Sequence, residues 1–174
     1  MFAKPVFGIG RLAGVAALAL SSAALATPQI QSWETENGAE VLFVAAPDLP
    51  MVDVRLAFDA GSARDGSQPG LASMTAEMLT EGAGDLDADR IAERIESVGA
   101  ELDTGAGRDM AFVSLRSLTD PALLGPAVDT LTKVLSEPSF PVEDFERVRQ
   151  NRLIALRLSE QDPGSVGSKA LYRA

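Results

Sequence analysis

The 174-residue chain carries 25 acidic against 15 basic residues, a formal charge of −10, and contains neither cysteine nor histidine. The negative balance repels nucleic acid and anionic lipid, so neither is expected as a partner. Without Cys or His there is no disulfide framework, thiolate nucleophile, Ser-His pair or usual zinc site, while carboxylate chemistry remains possible.

Lys4 and Arg11 form a positive segment around the start of an apolar run, Leu12 to Leu20, and Ala24-Leu25-Ala26 is a small-x-small cleavage motif before Thr27 and Pro28. The run is shorter than the roughly 20 residues of a membrane span. Residues 1–26 are therefore expected to be a cleaved signal peptide. That address puts the protein in the periplasm or outside the cell, with no stable membrane insertion after cleavage. Residues 27–174 then suffice for one domain with a core.

Gln29 to Glu34 and Glu40 to Ala45 read as two strands about Glu36-Asn37-Gly38, where Asn-Gly supplies the positive φ angles of a tight hairpin. Pro47-Asp48-Leu49-Pro50 breaks the pattern. From Val52 to Phe58 apolar residues alternate with Asp53, Arg55 and Ala57, the period of a half-buried strand. A Gly-, Ser- and Asp-rich loop follows to Pro69, then a helix from Gly70 to Leu79 that Glu81-Gly82-Ala83-Gly84 ends. Asp87 caps a second helix, in which Ile91, Ala92, Ile95 and Val98 share one face and Gly99 follows the end.

Glu101 to Thr104 and Met110 to Leu118 form a strand pair around Gly105-Ala106-Gly107. Thr119-Asp120-Pro121 opens a third helix with a cap and an early proline, and Pro138 and Pro141 end it. Val142 to Leu158 is a fourth helix, and Val166 to Tyr172 begins another. This order predicts an α+β domain, an antiparallel or mixed sheet with helices layered on one face. The sequence stops at Ala174 soon after the last helix starts and with no capping signal, so residues 27–174 are expected to be an incomplete domain of a longer reading frame.

Isolated features carry little chemistry. Gly61 to Gly66 lacks the Lys-Ser/Thr of a phosphate loop and reads as a plain turn. Asp85, Asp87 and Asp89 alternate like the start of a calcium loop but lack its glycine, and fit helix capping better. Ser73 has no histidine to make it a nucleophile, and Trp33 is expected to pack on the sheet.

Three segments stand out together: Phe58-Asp-Ala-Gly-Ser-Ala-Arg-Asp65 with Gly70-Leu-Ala-Ser-Met-Thr-Ala-Glu-Met-Leu79 and Gly82-Ala-Gly84; Ile95-Glu-Ser-Val-Gly-Ala-Glu-Leu-Asp103 with Arg108-Asp-Met-Ala-Phe-Val-Ser-Leu115; and Leu135-Ser-Glu-Pro-Ser-Phe-Pro-Val-Glu-Asp-Phe-Glu-Arg147. In this order they resemble the N-terminal domain of the M16 (insulinase/pitrilysin-like) zinc peptidases. Active members carry Gly-Leu-Ala-His-x-x-Glu-His-Met in the first. There two histidines four residues apart hold the metal on one helical face, and the glutamate serves as base for its water.

Matched through Gly70-Leu71-Ala72 and Met78, the first histidine falls on Ser73, the glutamate on Ala76 and the second histidine on Glu77. The third ligand, a glutamate on a later helix, falls within Arg152 to Leu156, which holds no acid.

The resemblance thus implies no catalytic residue, no metal ligand and no cofactor in this chain, zinc being expected only in an active partner subunit that carries His-x-x-Glu-His. It implies a non-catalytic subunit that completes a peptidase chamber and helps hold an extended peptide on an edge strand. The alternatives are a stand-alone peptide-binding or scaffold protein with the same fold, and a metal-dependent peptidase in which Glu77 joins Glu81 or Glu146. Against the last, hard cations want six to eight oxygens from a dedicated loop, so Glu77 is expected to be solvated or hydrogen-bonded in an emptied cleft.

Overall fold

In the computed structural model, which describes residues 29–172, the chain divides into two units, Met1–Asp48 and Leu49–Ala174. The expected signal peptide lies outside the described residues. In the first unit, β1 (Ile30–Glu34) and β2 (Glu40–Val44) pair antiparallel, with Ser32 opposite Leu42. Their connection is a five-residue loop, residues 35–39, that turns at the expected Glu36-Asn37-Gly38. Only Gly38 takes a positive φ, of 84°. Thr35 closes the loop through its backbone and its hydroxyl, which meet Ala39 from both sides. Trp33 stays half exposed and packs beside Phe43, ring centroids 6.4 Å apart.

The second unit is built on an antiparallel sheet of β3 (Met51–Phe58), β7 (Ala111–Leu118) and β6 (Glu101–Ala106), with β7 in the centre. The register sets Val54 opposite Leu115 and Leu56 opposite Val113, so the period-two pattern turns one face apolar. Against that face lie α1 (Leu71–Met78), α2 (Ala88–Glu96) and α3 (Pro121–Ser136). Val113, Leu115, Ile95, Ala100, Ala127 and Leu131 form the buried core, with Val54, Leu56, Leu79 and Leu102 packed around it. The opposite sheet face carries the sheet's charged side chains: Arg116 pairs with Asp53, and the Arg55 guanidinium lies 4.1 Å over the Phe112 ring.

Helices α4 (Val142–Gln161) and α5 (Pro163–Leu171) complete the described chain. The expected α+β architecture with helices on one face is therefore what forms, and the sheet is purely antiparallel. Two local readings change. Strand β6 runs on to Ala106, so the hairpin turns at Gly107 to Met110, closed by the Gly107 N–H donating to the Met110 carbonyl at 2.8 Å. Residues 82–87, expected to be only a helix terminus, form a small ribbon of β4 (Gly82–Ala83) and β5 (Leu86–Asp87). The link between α3 and α4 is stitched to it, with Ser139 N–H donating to Gly82 O at 3.0 Å and Gly84 N–H to Glu137 O at 2.8 Å. A two-residue strand is too short to show a period in sequence, which is why it was not expected.

Candidate functional site

Helix α1 carries the three positions that the resemblance singles out, and the loop before it fixes where it starts. Gly70, at φ 94°, is the N-cap and has no side chain to cap with. Asp65 caps from five residues upstream, its carboxylate accepting from Gly70 N–H at 2.7 Å and Ala72 N–H at 2.9 Å. The 3₁₀ turn Ser62–Arg64 that delivers Asp65 is held on the β6–β7 hairpin: Ser62 and Ala63 donate to the carbonyls of Gly107 and Arg108 at 2.9 and 2.8 Å.

From this start Ala76 and Met78 point inward and are buried, while Ser73 and Glu77 are half-buried on the side facing α4. The four-residue spacing does place them one above the other. What meets them is Arg152. Its Nε donates to Glu77 Oε2, and its Nη2 donates to the Ser73 carbonyl oxygen at 3.2 Å. Val148, one turn earlier on α4, is buried, so Arg152 shares the inward face of that helix. Ile154 and Leu156, in the same expected ligand segment, are 52% and 56% exposed.

The other carboxylates considered as companions of Glu77 are not brought to it as free ligands. Arg147 pairs with Glu81 and, at 3.0 Å, with Asp144; these acids hold its guanidinium further into the protonated range, Asp144 foremost. Glu146 is taken by Arg149 of its own helix at 2.7 Å. Among the described residues no three His, Cys, Asp or Glu side chains are grouped so as to hold a metal. Sequence reasoning missed Arg152, although a signal existed: a basic residue stands where an acid was sought, four positions after an apolar one on the same helix.

Two cavities adjoin this helix. One, of about 440 Å³, lies between α1 and the ends of β3 and β7, with Phe58, Leu71, Thr75, Ala76 and Phe112 in its wall. The other, of about 1010 Å³, opens beyond the C-terminal end of α1 along β6 and is lined by Glu81, Ile95, Glu101, Leu102, Asp103 and Arg147 among others. Strand β6 is the outer strand of its sheet among the described residues, so its far edge offers unpaired backbone groups beside this cavity.

A sequence model of the insulinase family, peptidase family M16, matches residues 40–173. The chain belongs to the M16 family. It is 31% identical over 115 residues to the non-peptidase homologue YmxG of Helicobacter pylori, a match covering 66% of this chain and 26% of that protein. Its fold matches the crystal structure of a peptidase M16 inactive domain from Pseudomonas fluorescens, with TM-score 0.80 and 41% identity, over 82% of this chain and 35% of that one. A protease from H. pylori has the same fold at 17% identity and TM-score 0.70, over 80% and 34% of the two chains. The chain thus spans about a quarter to a third of the length of these relatives.

At the three positions that the sequence resemblance sets against a zinc motif, the side chains present do not fit the ion. Ser73 offers a neutral hydroxyl, Ala76 offers nothing, and Glu77 is engaged by a guanidinium. Zinc takes thiolate, imidazole or carboxylate donors in a four-coordinate set, and one carboxylate does not make such a set.

Proposed function

We propose that this protein is a non-catalytic M16 homologue that holds an extended peptide and works beside an active subunit carrying His-x-x-Glu-His. The observation that carries the reading is the chemistry at α1. A hydroxyl, a methyl group and an arginine-paired carboxylate stand at the motif positions, so nothing there would activate a water molecule. Two relatives support it, one described as a non-peptidase homologue and the other as an inactive domain.

Peptide holding draws on the open edge of β6 and the cavity along it. An extended chain added there would gain main-chain hydrogen bonds without any chemistry at its carbonyls. The leader-like residues 1–26 support a periplasmic or secreted location, which cell fractionation tests directly.

The deciding experiment uses the full-length protein and an intact-motif M16 partner from the same source. Zinc content and peptide hydrolysis are measured for each alone and for the mixture. Inactivity alone with a gain on mixing supports the subunit reading. Peptide affinity with no effect on the partner would favour a stand-alone peptide binder. Stoichiometric zinc with chelator-sensitive hydrolysis by the protein alone would refute both.

A further inference from the structure

A metal held by two positions on one helix and a carboxylate from another does more than chemistry, because it also ties the helices together. In this protein Arg152 ties α4 to α1. We propose that Arg152 is a built-in cation standing where an active M16 peptidase carries its metal: from α4 it engages the Glu77 carboxylate and the main-chain carbonyl of Ser73 on α1, and the fold dispenses with the ion. The proposal rests on the reading of Ser73 and Glu77 as the motif positions.

The geometry supports it at each end. The guanidinium reaches the Glu77 carboxylate with Nε and, with Nη2, the main-chain carbonyl of Ser73, which the helix places beside the Glu77 N–H. A planar fork with several fixed donors can do this at once, whereas a lysine ammonium acts as a single point charge. Within residues 152–156, where the third metal ligand was sought, Arg152 makes these bonds to α1, while Ile154 and Leu156 lie more than half exposed.

The electrostatics agree. Arg152 neutralises Glu77 and puts a fixed positive charge where a divalent cation would have to sit.

The test is to rebuild the ligands with and without this arginine, in the full-length protein. One variant carries Ser73→His and Glu77→His and keeps Arg152. The other adds Arg152→Ala, which removes the cation without adding a ligand. Zinc is titrated into each by calorimetry, and cobalt(II) absorption reports tetrahedral coordination. The triple variant should bind zinc on the order of 100-fold more tightly than the double. Equal affinity of the two would overturn the proposal, since Arg152 would then not occupy the metal's place. Absence of binding by either would instead refute the motif positions themselves, and the proposal with them.

A second readout stands if the rebuilt variants fail to fold. Arg152→Met should lower the melting temperature by about 2–4 °C. In a Glu77→Gln background the same change should lower it by clearly less. Equal shifts in the two backgrounds would mean that the guanidinium does not act through Glu77.

Discussion

An alanine at position 61 has no room. A Cβ built on Gly61 would lie 2.4 Å from the Arg108 carbonyl oxygen and 2.5 Å from both the Asp109 carbonyl carbon and the Met110 nitrogen. All three are backbone atoms of the β6–β7 hairpin turn. Ordinary contacts begin near 3.5 Å, so loop and hairpin must separate by about 1 Å. The separation would stretch the two hydrogen bonds from Ser62 and Ala63 to the hairpin. Overpacking of this kind costs about 1–3 kcal/mol, and each weakened hydrogen bond roughly 0.5–1.5. Gly61→Ala should therefore destabilise by about 2–4 kcal/mol, and it should loosen Asp65, four residues on, from its cap on α1.

The comparison is Gly125→Ala in α3, where an added Cβ meets nothing within 4 Å. Helix propensity makes that change neutral or stabilising by up to about 1 kcal/mol. Urea unfolding of the full-length variants, followed by circular dichroism, reads both. A Gly61→Ala protein within about 0.5 kcal/mol of the parent would refute the claim that this close approach fixes the start of α1.

Asp65→Ala removes both hydrogen bonds at the N-terminus of α1 and should cost about 1–2 kcal/mol, with faster amide exchange at Gly70 and Ala72. Leu115→Ala, at a core position 1% exposed, should cost about 2–5 kcal/mol in the same unfolding assay. The Asp162 carboxylate is held below the usual carboxylate range, first by the Ser165 backbone N–H and then by its hydroxyl. Its support for the start of α5 is therefore present above the unfolded pKa, near 3.9, and lost as pH falls through the lower folded value. Exchange protection of the Ser165 amide should fall in that acid window, and the pH dependence should vanish in Asp162→Asn; a dependence unchanged in that variant would refute it.

Much of this domain is legible in order. Val52 to Phe58 alternates in sequence and does so in space, and Asp87, Asp120 and the 141–142 junction mark helix starts where the structure has them. These are local signals, carried by side-chain period and cap chemistry within a few residues. The hairpin about Gly38 forms where expected, but its loop conformation depends on what Thr35 bonds to, since Asn-Gly permits a tight turn without dictating it. The β4–β5 ribbon was missed because its pairing and its link to residues 137–139 are set from outside the segment.

At the candidate site the division is sharper. The sequence by itself determined the donors: no histidine, no cysteine, and Ser, Ala and Glu at three positions with a helical spacing. It could not say which side chain would meet Glu77, because Arg152 is 75 residues away and its partner depends on how α4 is rotated against α1. That rotation follows from burying Val148 against the rest of the unit, a requirement of packing that no local pattern encodes. Composition fixes which chemistry is possible; only the packing of two helices decides that Glu77 faces an arginine.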